Sequence, residues 1–392
     1  MDLMQIFLEK HFVDENGVVY SQIDAETLRP TDAGTFSGAE VPAWYPSGVT
    51  LPDFWNYENC GMTTGGYLSA LCTMLADDRR KDRERLRAPA RRTFRALCRI
   101  YDIGAAWEEG FFPKIWGNRF SRQTSTDQYL YAMSAMDRYY PIASAEERGL
   151  IRKMIPAMAG FWRRHNYTLT YYQVKDMVWP PLRFPPLLLL ACKYDRKGNM
   201  EEEALRILSE NMEDIPENSR RKSGRLYHLA DAVTMEVMGQ ILLLESEFLP
   251  SSFRPVLTAG MEKIWVEARQ TLTEDGFYWT SLPCDRSSGA VLPGREAQYG
   301  ARSAWSTMVV RAGLQLSAYV PSLKKETRQY AERVLAKLTP ETLYYYHPDD
   351  AGKLERSRRF EVRFLSGDAI VNYLWAEALL GDRKYSGTEY PA

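Results

Sequence analysis

The feature that most constrains this sequence is an alternation of two kinds of helical segment along 392 residues. One kind, such as 80–102, combines an apolar stripe with a dense face of Arg, Lys, Asp and Glu, which is typical of a helix with one wet side. The other kind, such as 187–191 and 308–316, is apolar almost all round, which is typical of a buried helix. The sequence therefore predicts charged outer helices that alternate with apolar inner helices.

Strand patterns are nearly absent, whereas helical periodicity recurs throughout the chain. About twelve helices, six inner and six outer, are predicted at residues 2–12, 62–76, 80–102, 126–140, 144–166, 182–194, 200–213, 227–246, 251–273, 300–318, 322–338 and 367–381. Inner-to-outer connections are short, and outer-to-inner connections are mostly long. Helices joined by a short turn lie antiparallel, so we expect all the long loops on one face of the assembly.

This alternation resembles the (α/α)6 six-hairpin toroids of carbohydrate-active enzymes, which include unsaturated glucuronyl hydrolases, other inverting glycosidases and some polysaccharide lyases. The segment Ser125-Thr126-Asp127-Gln128-Tyr129, which opens an inner helix, is similar to carboxylate-bearing helix starts in that superfamily. An open tetratricopeptide-type solenoid is the alternative, but it repeats about every 34 residues. Inner helices here begin roughly 45 to 75 residues apart. We therefore predict an all-α toroid that forms a single domain over residues 1–392.

Bulk composition excludes several classes of function. The net charge of −1 provides no broad field for nucleic acid or an anionic membrane, so we expect neither partner. The amino terminus lacks a signal-peptide pattern, and five scattered cysteines without CxxC spacing favour reduced thiols, so we expect a cytoplasmic protein. Four histidines without HExxH spacing, and the lack of a glycine-rich phosphate loop, predict neither a metal nor a cofactor.

Carboxylates stand near most of the long-loop ends of the inner helices, where a toroid would gather them around its central pit. Asp127 and Asp231 are the predicted catalytic acid and base, and Glu58 could substitute for either. Glycosidic hydrolysis needs such a pair, because one group protonates the leaving oxygen and the other activates water or attacks carbon. Asp368 follows Ser366-Gly367, and there we expect a helix cap instead.

Aromatic and polar side chains crowd the same loops, since the chain holds 10 Trp and 24 Tyr. Tryptophan faces can stack on sugar rings, and arginine binds carboxylates through two parallel hydrogen bonds. The basic run around Arg358 is interpreted as a solvated loop. The predicted substrate-binding residues are Asp53, Trp55, Trp116, Arg119, Trp179, His228, Tyr299, Arg302 and Trp305.

The resemblance and these residues together favour a metal-independent glycoside hydrolase that acts on short, uronic-acid-containing oligosaccharides. A polysaccharide lyase on the same scaffold is the first alternative, with Tyr299 or His228 as its base. A carbohydrate-binding protein that has lost catalysis is the second. An epimerase is a further possibility, although the chain has few histidines to serve it.

Overall fold

The computed structural model describes residues 3–40, 49–117, 119–172, 174–196, 198–212, 225–227, 239, 248–285, 292 and 300–381. This part of the chain contains twelve α-helices, numbered α1 to α12 in chain order. They are Leu3–His11, Leu51–Tyr57, Cys60–Ala76, Arg83–Ala105, Thr126–Tyr139, Ala145–Arg164, Pro185–Tyr194, Met200–Glu210, Phe253–Arg269, Ser306–Leu316, Lys324–Leu335 and Gly367–Gly381.

Eleven of these helices correspond to predicted ones, and the predicted helix 227–246 falls almost entirely outside the described residues. The additional helix is α2, a two-turn segment inside the first long loop that the sequence analysis missed. Thr50 caps it, because the Thr50 hydroxyl accepts a hydrogen bond from the Asp53 amide, and Pro52 occupies its first turn. Both are standard helix-start signals.

Burial separates the helices into the two predicted rings. The inner helices α3, α5, α7, α10 and α12 are buried along nearly their whole length. The outer helices α4 and α6 bury one stripe and expose the charged face. The predicted alternation of wet and buried helices is confirmed for the described residues.

The inner helices form a closed ring rather than an open superhelix. Among the described inner helices, α3 packs against α5, α5 against α7 and α10 against α12, and the last of them, α12, also packs against the first, α3. At that seam a β-carbon on Gly66 would lie 3.0 Å from Val371 Cγ2, and on the other side one on Gly65 would lie 2.6 Å from the Tyr131 carbonyl oxygen. Glycines at this helix start therefore serve close packing. The predicted all-α toroid is confirmed, and the solenoid alternative is excluded.

Arg311 of α10 ties three inner helices together inside the ring. Its fully buried guanidinium donates to the Tyr131 hydroxyl of α5 and to Asn372 Oδ1 of α12, both at 2.8 Å. It also lies 4.4 Å from the centroid of the Trp375 ring. Buried polar groups hold a unique geometry only when they are satisfied, so this network fixes how the helices sit around the axis.

Short strands occur only in the connections between helices, within the described residues. They form four antiparallel two-stranded sheets: β1 (Gln22–Asp24) with β8 (Phe364–Ser366), β2 (Thr168–Tyr171) with β3 (Val174–Val178), β4 (Arg225–Tyr227) with β6 (Ser281–Pro283), and β5 (Tyr278–Trp279) with β7 (Arg302–Ser303). The β1–β8 pair joins the first long loop to the last one. The first and last long loops are therefore joined to each other, just as the first and last inner helices, α3 and α12, are.

None of the helices in the described residues is both long enough and apolar enough to span a bilayer. That residues 1–392 make up a single domain stays a prediction.

Candidate active site

A cleft of about 470 Å³ opens among the long loops. The first loop with α2, the β2–β3 hairpin and the last loop all contribute to it. Its lining residues are Gln22, Phe54, Trp55, Glu58, Asn59, Tyr171, Tyr172, Val174, Tyr345 and Arg358. Two of the predicted site residues, Trp55 and Glu58, are therefore in the lining.

Glu58 is held in the cleft by a buried lysine. The side chain of Lys114 is only 1% exposed, and its ammonium forms an ion pair with the Glu58 carboxylate. It also donates to the Glu58 carbonyl oxygen at 2.9 Å. Burial alone would lower the pKa of Lys114, but the charges of Glu58 and its neighbours outweigh burial and raise it. Lys114 is therefore a permanent cation beneath the cleft.

Tyr172 approaches Glu58 from the hairpin in a strained backbone conformation. Its φ of 51° lies in the left-handed region, which is rare for a bulky residue. The hydroxyl donates to Glu58 Oε1 at 3.2 Å, and the backbone amide donates to Gln123 Oε1 at 2.7 Å. Strain of this kind persists where surrounding contacts over-determine it, and it concentrates at functional sites. Burial raises the pKa of Tyr172 well above its ordinary value, so the hydroxyl remains a donor.

Asp368, in the first turn of α12, is fully buried and only partly satisfied. Its Oδ2 accepts a hydrogen bond from Asn59 Nδ2 at 3.0 Å, whereas its Oδ1 has no partner in the described part of the chain. Burial, assisted by the charges of Glu58 and Asp127, raises the pKa of Asp368 to about 7, although the Asn59 hydrogen bond and the Lys114 charge oppose the rise. The expectation that Asp368 caps its helix is wrong, because Ser366 Oγ accepts from the Ala369 amide.

Asp127 lies in the first turn of α5, where the sequence placed it. Its Oδ1 is 3.7 Å from Arg183 Nη1, which also donates to the Thr126 hydroxyl. The charge of Asp127 contributes to the raised pKa values of both Asp368 and Lys114, so these groups share one electrostatic environment. Glu58, Asp127 and Asp368 thus gather at the loop ends of three inner helices.

Gln128, the next residue along α5, joins the start of α5 to the start of α3 by hydrogen bonds. Its side-chain oxygen accepts hydrogen bonds from the Gly61 amide at 2.8 Å and the Met62 amide at 3.2 Å. Its side-chain nitrogen lies 3.5 Å from both the Glu58 carbonyl oxygen and Asn59 Oδ1. The amides at the start of α3 are thereby satisfied, and the spacing between Asp127 and the Glu58–Asn59 pair is set by a rigid contact.

Three of the predicted stacking tryptophans support the lining from behind. Trp116 packs on Phe54, Trp179 on Tyr171 and Trp305 on Tyr345, with ring centroids 5.0–6.1 Å apart. All three are buried and absent from the lining. The rings at the cleft surface are instead those of Phe54, Trp55, Tyr171, Tyr172 and Tyr345.

The predicted carboxylate-binding arginines both have acidic partners of their own. Arg119 forms an ion pair with Asp53, and its side chain is 58% exposed. Arg302 donates to Asp350 Oδ2 at 2.8 Å and pairs with Asp275. Neither arginine lines the cleft. The remaining predicted site residues lie outside the described residues: His228, Asp231 and Tyr299.

The fold and this cleft on the loop face together define the class of the protein as an (α/α)6 toroid. No protein-family model matches the sequence, and no curated protein matches it. Solved structures do match the fold.

A cellobiose 2-epimerase from Bacillus thermoamylovorans matches with a TM-score of 0.57 at 12% identity, over 96% of this chain and 94% of that one. A glycoside hydrolase family 76 mannosidase from Bacteroides thetaiotaomicron matches with a TM-score of 0.54 at 11% identity, over 96% of each chain. An unsaturated glucuronyl hydrolase specific for heparin matches with a TM-score of 0.54 at 13% identity, over 96% of this chain and 95% of that one. At these identities the similarity establishes the shared fold.

Proposed function

We propose that this chain is a carbohydrate-processing enzyme, and specifically a glycoside hydrolase that cleaves short, uronic-acid-containing oligosaccharides by carboxylate acid/base catalysis. The observation that carries the proposal is Asp368, a buried carboxyl group with one oxygen that has no partner among the described residues and a pKa raised to about 7. Asp368 lies directly behind the cleft lining, where it is hydrogen-bonded to Asn59, and perturbed carboxyl groups near other carboxylates at a cleft are characteristic of catalytic sites.

Asp368 is the proposed general acid. A carboxyl group with a pKa near neutrality holds its proton at working pH and can release it to a leaving group. In the proposed step the proton passes from Asp368 to the glycosidic oxygen as the bond to the anomeric carbon breaks. The burial that raises the pKa of Asp368 is therefore the feature that would make it an acid.

Asp127, which the sequence predicts as one member of the acid/base pair with Asp231, is the proposed base. It would accept a proton from the water whose oxygen bonds to the anomeric carbon, which completes hydrolysis. Asp231 remains the alternative partner, since it too is predicted at the loop end of an inner helix. Glu58 has a different proposed task, because Lys114 and Tyr172 hold it as a fixed acceptor for sugar hydroxyl groups.

The lining of the cleft supports a sugar ligand. Phe54, Tyr171 and Tyr345 are flat rings beside hydrogen-bonding groups such as Asn59. Sugars present apolar C–H faces and polar edges, and such a surface matches both. The three structural neighbours described above are named as enzymes that act on sugars, which agrees with the proposal.

The decisive experiment compares three single variants on a panel of short uronic-acid-containing and neutral oligosaccharides, with newly formed reducing ends as the readout. Asp368→Asn and Asp127→Asn are expected to lower kcat about 100-fold or more while the fold is retained. Asp137→Asn is the matched control, because Asp137 lies on the same helix as Asp127 but pairs with Lys193 at the opposite end. It should retain normal turnover.

Two outcomes would replace the proposal. Products that absorb in the near ultraviolet would indicate a lyase, because elimination leaves a conjugated double bond. Isomerised sugar without bond cleavage would indicate an epimerase. Near-normal turnover in Asp368→Asn would remove that residue from the catalytic machinery.

A further inference from the structure

Arg358 is a cation in the cleft lining that the sequence analysis assigned to a solvated loop. It belongs to the last long loop, between Glu355 and the β8 strand, and it lines the same cleft as Glu58 and Asn59. Its side chain is 35% exposed, so it is accessible from solvent as well as held by the protein.

A buried acid fixes the orientation of this guanidinium. Glu361 has a side-chain exposure of 0%, and its two oxygens accept hydrogen bonds from Arg358 Nε and Nη2, each at 2.9 Å. The Nη2 group also donates to the Tyr346 hydroxyl at 2.7 Å. If Arg358 moved away, Glu361 would remain as an unpaired buried charge, which is costly. Arg358 therefore holds this position even without a ligand. It is therefore pre-organised, which reduces the ordering cost of binding.

The anchoring contacts leave one edge of Arg358 available. A guanidinium has five N–H donors, and the contacts to Glu361 and Tyr346 engage the donors on Nε and Nη2. Both donors on Nη1 have no partner among the described residues. Charge-assisted hydrogen bonds from arginine to a carboxylate are among the stronger polar contacts in proteins.

We propose that Arg358 binds the carboxylate of the substrate's uronic-acid residue and so sets specificity for acidic over neutral sugars. The inference rests on the proposed function, and it identifies the residue that selects the substrate class. Within the described residues, three other cations near the cleft are engaged elsewhere: Lys114 by Glu58, Arg119 by Asp53 and Arg183 beside Asp127.

The test uses a pair of oligosaccharides with the same linkage, one ending in a uronic acid and one in the neutral hexose. Arg358→Gln is expected to lower kcat/KM for the acidic substrate about 10- to 100-fold and to change the neutral one by less than about threefold. Arg356→Gln is the matched control in the same segment, since its side chain is 89% exposed. It should leave both values unchanged.

The Arg358→Gln variant leaves the buried Glu361 without its cation, so the double variant Arg358→Gln/Glu361→Gln is measured in parallel. Replacing both partners of a buried pair is far less disruptive than removing one. The double variant should show the same selective loss. An equal loss for both substrates, or no loss for either, would overturn the assignment.

Equilibrium binding of the same two oligosaccharides, measured by calorimetry without turnover, separates failure of the proposed hydrolysis from failure of the Arg358 assignment. Acidic-sugar binding that is weakened about 10-fold or more in the Arg358 variants would support the inference even in a protein that cleaves nothing. Binding that does not differ between wild type and the variants, or no binding by wild type, would refute it.

Discussion

Replacing Asp368 by asparagine should make the protein more stable at neutral and alkaline pH while abolishing its proposed catalysis. The ordinary pKa of an aspartate is 3.8, and burial raises that of Asp368 to about 7 in the folded protein. At about 1.4 kcal/mol per pH unit, this difference corresponds to about 4 kcal/mol. Asparagine has nearly the same shape and no charge to bury, so it avoids that cost.

The pH dependence follows from which state holds the proton. Between pH 3.8 and about 7 the folded protein keeps the Asp368 proton, whereas the unfolded chain has released it. Folding therefore takes up a proton in this range, and the stability of the wild type falls as pH rises. Below pH 3.8 both states are protonated and no penalty arises. Above about pH 7 the penalty is complete and the curve levels off.

Urea denaturation of wild type and Asp368→Asn at intervals from pH 3.5 to 8.5 tests this directly. The difference between the two unfolding free energies isolates Asp368, because every other titrating group is common to both proteins. That difference should shift in favour of the variant by about 4 kcal/mol between the two ends of the series. Curves that stay parallel within about 0.5 kcal/mol would show that Asp368 titrates normally, and the acid role would fall with it.

Four further variants test other contacts of the site and ring. Lys114→Met should destabilise the protein by about 3 kcal/mol in urea, because it strands Glu58 beside a buried apolar group; an unchanged midpoint would show that the ion pair is not formed. Gly65→Ala should lower the free energy of unfolding by about 1–3 kcal/mol, since its β-carbon meets a backbone oxygen at 2.6 Å. Gly66→Ala should lower it less, because its β-carbon meets a side-chain methyl group at 3.0 Å. The reverse order in thermal unfolding would contradict the packing of the inner ring. Tyr172→Phe removes the donor to Glu58 and should lower kcat/KM roughly 3- to 10-fold at nearly unchanged stability; full activity would exclude a positioning role.

The helices and their arrangement could be predicted because their signals are local. An apolar face repeats every turn, so the sequence alone distinguishes the buried helix α3 from the half-exposed helix α4. The loop lengths then place the long loops on one face. The short helix α2 was missed because two turns give too little periodicity, although Thr50 and Pro52 marked its start. Most of the short strands were missed because they pair with segments distant in the chain, as β1 does with β8, although β2 and β3 form a local hairpin.

The candidate site was predictable only in part. Asp127 and Glu58 were found because each precedes or opens an apolar helix, which is a local pattern. Arg358 and Arg119 look alike in the sequence, since both are arginines in aromatic loops. Their partners differ: Arg358 pairs with the buried Glu361, and Arg119 pairs with the partly exposed Asp53. Only the tertiary structure shows that Arg358 is the one that lines the cleft.

The sequence by itself determined the alternation of inner and outer helices and the gathering of long loops on one face, because hydrophobic periodicity and loop length need no knowledge of distant contacts. Tertiary structure decided which side chains carry chemistry. Asp368 is an ordinary helix-start aspartate by sequence, and it becomes a candidate acid only because ring closure buries it beside Asn59, in the field of Glu58 and Asp127. A pKa depends on solvent exclusion and neighbouring charge, and both are created when residues more than 300 positions apart meet.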